Sequence, residues 1–315
     1  MSWDYYAWLA ANSNQKEQLN PPQGLAAGHV DALSVSFFGD NTNREITRQT
    51  YIQFASRSFS FPDCVRDSEP NFGDLVSARW LGLQVDFKLL TPWYSKDDRV
   101  FHVLDNPVRK DRVFGVPFMS AASWKGMLRW ACRMQAGLRE HLENGKRFED
   151  WRDPDWILHL FGNEKGEEET FHQGALVFYP TWFDRIGFEV INPHSRERRA
   201  GTQPIYYEVV PGRKPRPDNP GEHEEGGKGS LYLLYAPWPG MKPAVDTIDF
   251  LPKLLEAIET LLTTYGISAK RTVGWGTAQI TKWKAFRKGQ KTVERDSREQ
   301  LWQTINAWFQ GGGAP

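Results

Sequence analysis

The sequence predicts an α+β protein, because three stretches fix the order strand, helix, strands, helix along it. Residues 81–90, LGLQVDFKLL, are a strand-like apolar run that feeds the loop TPWYSKDDRVFHVLD. Trp124, Met127, Leu128, Ala131, Met134, Leu138 and Leu142 recur at intervals of three and four, the period of a helix with one apolar face. Leu251, Leu254, Leu255, Ile258, Leu261, Leu262 and Tyr265 do the same in a second helix at about 249–265, which Gly266 closes.

Residues 1–78 form an N-terminal extension. Leu33, Val35 and Phe37 alternate with polar neighbours, as do Phe59 and Phe61, so short strands or an irregular arm are expected around the turn-rich GDNTN at 39–43. The extension reads as a packing or subunit-contact arm, with Arg44, Arg48 and Arg57 as the alternative of a nucleic-acid contact. The domain proper spans about 79–290, and the chain is organised around 105–133, DNPVRKDRVFGVPFMSAASWKGMLRWACR. An acidic residue precedes Asn-Pro, a basic pair follows, and turns at Gly115 and Pro117 lead to a helix expected from about Ser123. Ser120 and Ser123 are its N-cap candidates, and Asn144-Gly145 its stop. Lys125 and Arg129 lie four apart near a helix start, where unpaired backbone N–H groups and the positive dipole end favour a phosphate. Gly126 lets another backbone approach closely. The plainer reading of this stretch is an amphipathic helix with solvated cations.

Further on, 155–160 is a short helix ending at Phe161-Gly162, 163–170 (NEKGEEET) a surface-loop insertion, and 174–179 an apolar strand. The segment 186–211 has the composition of an exposed hairpin, with Arg196, Arg198 and Arg199 at a basic tip. The insertion 213–230, RKPRPDNPGEHEEGGKGS, has too few apolar residues to pack and is expected to be a mobile loop before the strand at 231–235. Residues 266–280, GISAKRTVGWGTAQI, offer three glycines, two adjacent cations and a following strand. Such a loop can curl its backbone round a phosphate and hand it Lys270 and Arg271, although a plain helix-to-strand turn has the same look. Residues 291–315 hold a last helix at 297–309, with Leu301, Trp302, Ile305, Trp308 and Phe309 on one side and a Ser297 cap with Gln300 three on, expected to dock on this chain or a partner.

Composition narrows the function classes. A chain of 315 residues with 40% apolar content can bury an ample core, and 39 basic against 39 acidic residues leave no net charge, so any nucleic-acid surface must be local. Two cysteines, Cys64 and Cys132, give neither a disulfide framework nor zinc spacing, which suits a reducing cytoplasm. No apolar stretch is long enough for a membrane span, and the N-terminus lacks the pattern of a signal peptide. Most of the fourteen tryptophans belong to a core, and some are available to stack on bases. No Ser/His/Asp or Cys/His cue and no Walker or Rossmann motif is present, and the seven histidines are scattered without metal-ligand spacing.

The run Asp105-Asn-Pro-Val-Arg-Lys-Asp, then Gly115-Val-Pro-Phe, then Ser123-Trp-Lys-Gly-Met-Leu-Arg resembles the RAMP superfamily of CRISPR-associated RNA-binding proteins. Within it, the aspartate before X-Pro-Val is similar to that of the backbone subunits of type III (Csm and Cmr) effector complexes. The chain departs at Ser120-Ala121-Ala122, where the family usually has Pro-Gly-Ser. Phe161-Gly162, the strand after it and the glycine-rich loop at 266–276 stand in the family's order. The resemblance implies a ferredoxin-like or RRM-like β-α-β-β-α-β core with large insertions, and phosphates of a guide RNA held without reading its sequence. It implies guide contacts at Ser123, Lys125, Arg129, Lys270, Arg271, Gly274 and Gly276. The segment around Arg196, Arg198 and Arg199 would be the thumb that wedges between guide and target RNA.

It further implies that Asp105 is catalytic, holding a divalent ion, Mg2+, for cleavage of the target RNA beside a splayed nucleotide. Asp97, Asp98 and Asp111 are neighbours in sequence that serve equally well as loop solvation, and His102 reads as an inert strand residue in the alternating run Val100-Phe-His-Val-Leu. The alternative is a non-catalytic cap or spacer subunit of the same kind of complex. A guide-processing endonuclease would need a His/Tyr/Lys acid-base set that the sequence does not present.

Overall fold

The computed structural model describes residues 33–34, 37–39, 44–56, 61, 65, 69–98, 101–111, 115–163, 172–193, 201, 204–216, 218–219 and 221–310. In chain order its elements are α1 (Arg44–Ala55), β1 (Leu81–Leu89), β2 (Phe118–Met119), α2 (Ala121–Arg133), α3 (Arg139–Glu143) and α4 (Asp155–Phe161). There follow β3 (Leu176–Phe178), β4 (Thr181–Trp182), β5 (Gly187–Ile191), β6 (Ile205–Val209), β7 (Lys214–Pro215), β8 (His223–Glu224) and β9 (Lys228–Tyr235). The last are α5 (Thr247–Thr260), β10 (Ala278–Phe286), β11 (Val293–Arg295), α6 (Arg298–Ile305) and α7 (Ala307–Gln310).

A five-stranded sheet in the order β11-β10-β1-β9-β3 carries the fold, and each neighbouring pair is antiparallel. The centre is β1, where Leu83 lies between Ala285 of β10 and Leu233 of β9. Its alternation sends Leu83, Val85, Phe87 and Leu89 into the core, where Trp124 and Leu128 of α2 and Leu254 and Ile258 of α5 meet them. Each such side chain contributes roughly 1.5–3 kcal/mol by leaving water, so α2 is held on the sheet mainly by that stripe. Its start is fixed by Ser120, whose hydroxyl accepts a hydrogen bond from the Ser123 N–H at 3.2 Å.

The other face of the sheet is closed by different means. Phe72 lies over Gly82 of β1, so close that a Cβ there would come within 2.6 Å of its ring, and it packs with Leu75, Tyr232 and Leu234. Beside this plug, Asp86 accepts from Gln84 at 2.8 Å and from Ser230 at 2.7 Å and pairs with Lys284 at 3.0 Å. Residues 69–78 of the extension are thus a cover for one half of that face, and the polar half satisfies itself.

Several expectations change. The sequence predicts short strands or an irregular arm in the extension, but Thr47, Tyr51 and Ala55 recur every four residues and are buried as one stripe of the helix α1; Phe59 and Arg57 lie outside the described residues. Helix α2 starts at Ala121 rather than Ser123, and beyond Arg133 the chain passes through a wide turn over Met134–Leu138, where Gly137 takes φ 102°. The insertion 213–230, expected as a loop, pairs β7 with β8, closed by the Arg216–Glu222 ion pair at 2.6 Å. His102 is buried off any strand, with Val103 and Leu104 also buried beside it. The last helix bends at Asn306, and Leu301 and Ile305 bury it against this chain's own core.

Candidate nucleic-acid interface

Residues 90–97 are the spine on which the functional segments hang. Leu90 N–H donates to Thr277 O at 2.8 Å, Trp93 Nε1 to Ile267 O at 2.9 Å, and Tyr94 N–H to Ser268 Oγ at 3.0 Å, which fastens the glycine-rich loop. Trp93 exchanges both backbone bonds with Val210 at 2.9 Å, which fastens the β5–β6 hairpin to the same spine. The chain beyond pairs with itself: Arg109 N–H donates to Ser95 O at 2.7 Å and Asp97 N–H to Pro107 O at 3.1 Å. Asp105 is on the arm that this pairing projects.

The glycine-rich loop follows from its backbone. Gly266, Gly274 and Gly276 take φ 78°, 83° and 89°, and Ile267 N–H donates to Gly276 O at 3.0 Å to close the ring. A Cβ on Gly276 would lie 2.3 Å from Ser268 N, so the ring closes only around glycine. Gly274 faces open space and is exposed, where a ligand's backbone can approach. Lys270 reaches across to β6, its Nζ 4.6 Å from the Tyr207 ring centre. Arg271 stacks 4.1 Å over Trp130 of α2, and its Nη1 is buried without a hydrogen-bond partner among the described residues. That stack joins the loop to α2, so the two cation-bearing segments of the sequence are neighbours in the fold.

The cations of α2 divide. Arg129 is 8% exposed and gives two hydrogen bonds to Asp153 Oδ2, at 2.9 and 2.6 Å; Arg133 and the Trp151 indole bind the same carboxylate. Burial pushes the Asp153 carboxyl up, but the two guanidiniums and the indole more than offset it and hold it below the usual range. Lys125 is exposed, and partial burial followed by the nearby Arg129 charge lowers its pKa. Ser123 shares its hydroxyl with Ser120 at 2.9 Å, and a side chain on Gly126 would meet nothing within 4 Å.

Asp105 is exposed, Asp98 is exposed and Asp97 is buried. Among the described residues no three acidic, histidine or cysteine groups assemble as a metal cage. One exposed carboxylate nevertheless fits the habit of Mg2+, which takes one or two protein carboxylates and completes its shell with phosphate oxygens and water. The arm is tied to the hairpin beside Asp105: Glu208 N–H donates to Asn106 O at 3.0 Å, and Asn106 Nδ2 to Tyr206 O at 3.2 Å. The hairpin ladder runs from Gly187↔Val209 to Ile191↔Ile205, and Arg196, Arg198 and Arg199, between its strands, lie outside the described residues.

Sequence reasoning missed Tyr51, Lys110 and Glu208. Lys110 Nζ lies 2.5 and 2.6 Å from the two Glu208 oxygens and donates to Tyr51 Oη at 2.8 Å, with both charged side chains buried. Burial raises the Glu208 pKa, and Lys110, His102 and the hydrogen bonds of Lys110 and Tyr51 more than reverse that, so it stays ionised. The available signal was an acidic residue inside the apolar run Tyr207-Glu-Val-Val.

The molecule is therefore an α+β protein that gathers a glycine-rich loop, a cationic helix and a hairpin with a carboxylate arm around one spine. The chain belongs to the RAMP superfamily, whose family model matches residues 86–279. No curated protein matches it. Among solved structures it is similar to a chain in the cryo-EM structure of the type III-B Cmr-beta bound to cognate target RNA, with 15% identity and TM-score 0.55, over 89% of this chain and 99% of that one. A second similar chain, with 17% identity and TM-score 0.41, covering 75% of this chain and 97% of that one, is in the crystal structure of a Csm3-Csm4 subcomplex of the type III-A CRISPR-Cas interference complex. Among the described residues no helix is long and apolar enough to cross a membrane.

Proposed function

We propose that this protein is a subunit of a cytoplasmic type III CRISPR ribonucleoprotein effector complex, assembled with other subunits on a guide RNA, and that it cleaves paired target RNA at Asp105. The observation that carries the reading is the pair of hydrogen bonds between Asn106 and β6, which holds the Asp105 arm against the hairpin of a RAMP-superfamily chain. The order β1, α2, β3, β9, α5, β10, with β10 and β9 flanking β1 and β3 outermost, is read as the ferredoxin-like core. Guide phosphates lie along Lys125, Lys270 and Arg271, with Ser123 and Gly274 giving close backbone approach and the buried Gly276 closing the loop that presents them; Arg129, already paired with Asp153, acts at second hand. The opposite sheet face, plugged by Phe72 and self-paired at Asp86, takes no RNA.

For cleavage, the hairpin with Arg196, Arg198 and Arg199 splays a target nucleotide so that its 2′-OH, giving its proton to water, bonds to the adjacent phosphorus as a 2′,3′-cyclic phosphate while the bond to the 5′-oxygen breaks and that oxygen takes a proton from water. A bound Mg2+ would neutralise charge on that phosphate. Asp105 would hold the ion with one carboxylate, and the arm keeps that carboxylate at the hairpin. The N-terminal extension and the altered Ser120-Ala121-Ala122 favour a second reading, a non-catalytic cap or spacer of the same complex. Asp105→Asn in the assembled complex separates the two. The variant keeps the size and much of the hydrogen bonding of the side chain, so target RNA should bind as before while metal-dependent cleavage at this subunit's site is lost at least a hundredfold; persistence of cleavage at that site leaves the non-catalytic role.

A further inference from the structure

The buried cluster of Tyr51, Lys110 and Glu208 joins three separate parts of the chain. Tyr51 comes from α1 of the N-terminal extension, Lys110 from the Asp105 arm and Glu208 from β6. The Tyr51 hydroxyl donates to Glu208 Oε1, and Glu208 Oε2 also accepts the Val108 N–H at 3.0 Å. With the Glu208 N–H on Asn106 O, residue 208 grips the arm at 106 and 108 through its main chain and its side chain. The His102 ring meets the Tyr51 ring edge-on at 5.1 Å, and its Nδ1 accepts the Leu104 N–H at 3.0 Å, so the arm is braced on the other side of Asp105 as well.

Stability alone does not account for such a group. Removing a lysine and a glutamate from water costs about as much as their attraction returns, and apolar residues of like volume hold a core as well. What charge supplies and apolar contact does not is direction: the bonds are made in one arrangement of helix, arm and strand only.

We infer that Tyr51, Lys110 and Glu208 are positioning residues, a lock through which the N-terminal helix α1 sets the place of the Asp105 arm against the hairpin. The inference rests on the proposed role of Asp105 for its functional readout, and on geometry alone for its structural one. It gives the extension a task inside its own chain: without α1 the Lys110–Glu208 pair loses its third partner and its cover.

The test uses Lys110→Met with Glu208→Gln, which removes both charges of the pair while the amide keeps an oxygen for the Val108 N–H and turns its NH2 to the Tyr51 hydroxyl, so that neither partner is left as a lone buried charge. Tyr51→Phe is the conservative companion, keeping the ring on His102 and losing only the hydroxyl. Hydrogen–deuterium exchange on the full chain should be at least tenfold faster at 103–111 in the double variant, and less so in Tyr51→Phe, with β1 and β9 unchanged. In the assembled complex the double variant should bind target RNA within threefold of wild type but cleave it at least tenfold more slowly at this subunit's site. Asp105→Asn, by contrast, should lose cleavage with the exchange of the arm unaltered. Unchanged exchange at 103–111 overturns the lock, and so does faster exchange with full cleavage. Should Asp105→Asn keep its cleavage, the catalytic reading falls, and the exchange measurement still decides the lock.

Discussion

Lys125 and Arg129 stand one helical turn apart and look alike in sequence, yet the fold gives them different work. Arg129 has spent its charge on Asp153, as has Arg133, while Lys125 is open to solvent and Lys270 and Arg271 rest on the faces of Tyr207 and Trp130. Aromatic stacking holds a cation in place without neutralising it, which suits the proposed contact with a phosphate. Replacing Lys125, Lys270 or Arg271 by Ala should therefore weaken guide binding for all sequences alike and reduce the slope of log affinity against log salt by about 0.7 each, the value for one contact to a single strand. Arg129→Ala should leave that slope alone and lower the melting temperature instead, because it strips a partner from a carboxylate held by two guanidiniums. Salt titrations of the four variants on two unrelated guides decide it; a reduced slope for Arg129→Ala, or none for the other three, contradicts the division.

The β5–β6 hairpin shows how far an element can be read from sequence. Its place between 186 and 211 was legible because two strand-like runs flank a Gly/Pro-punctuated basic stretch, and the stem pairs in full register from Gly187↔Val209 to Ile191↔Ile205. Its attachment was not legible, since the bonds from Val210 to Trp93 and from Glu208 to Asn106 join residues about a hundred positions apart. The same distance hid α1, whose buried stripe of Thr47, Tyr51 and Ala55 is too narrow to outweigh its charged neighbours in a periodicity count. The stem is anchored by buried Val209 and Val210, whereas Val190, Ile205 and Tyr206 nearer its tip are exposed. Shortening the tip within 194–203 should thus keep the fold, with a melting temperature within a few degrees of wild type, and still alter guide–target pairing. A large fall in melting temperature on that deletion would make the tip a structural part.

Across the whole molecule, the order of elements, the two long helices and the glycine-rich loop were legible, because short-range periodicity and turn chemistry specify them. Pairings made in three dimensions were not: the lock at Glu208, the Arg129–Asp153 pair and the plug of Phe72 on Gly82 join different elements, and no periodicity within one element specifies them. The buried ionisable groups also set how stability follows pH. His159 bonds Tyr235 Oη and Pro243 O at 2.8 Å each, and burial lowers its pKa from the ordinary 6.5. The unfolded chain therefore takes up a proton near pH 6.5 that the folded chain refuses, so stability is full above that value and is lost as pH falls below it, by up to about 1.4 kcal/mol per pH unit. Glu208 and Asp153 have pKa values lowered from 4.5 and 3.8, so their contribution is present above those values and is lost in turn as more acid protonates them. Acidification should lower the urea midpoint in two stages, first from about pH 6.5 and then through the carboxylate range. His159→Gln removes the first titrating group at a cost independent of pH, so its midpoint should fall less than that of wild type between pH 7.5 and 5.5 while the later fall remains. Equal falls in the two proteins over that interval would show that His159 does not control this stage.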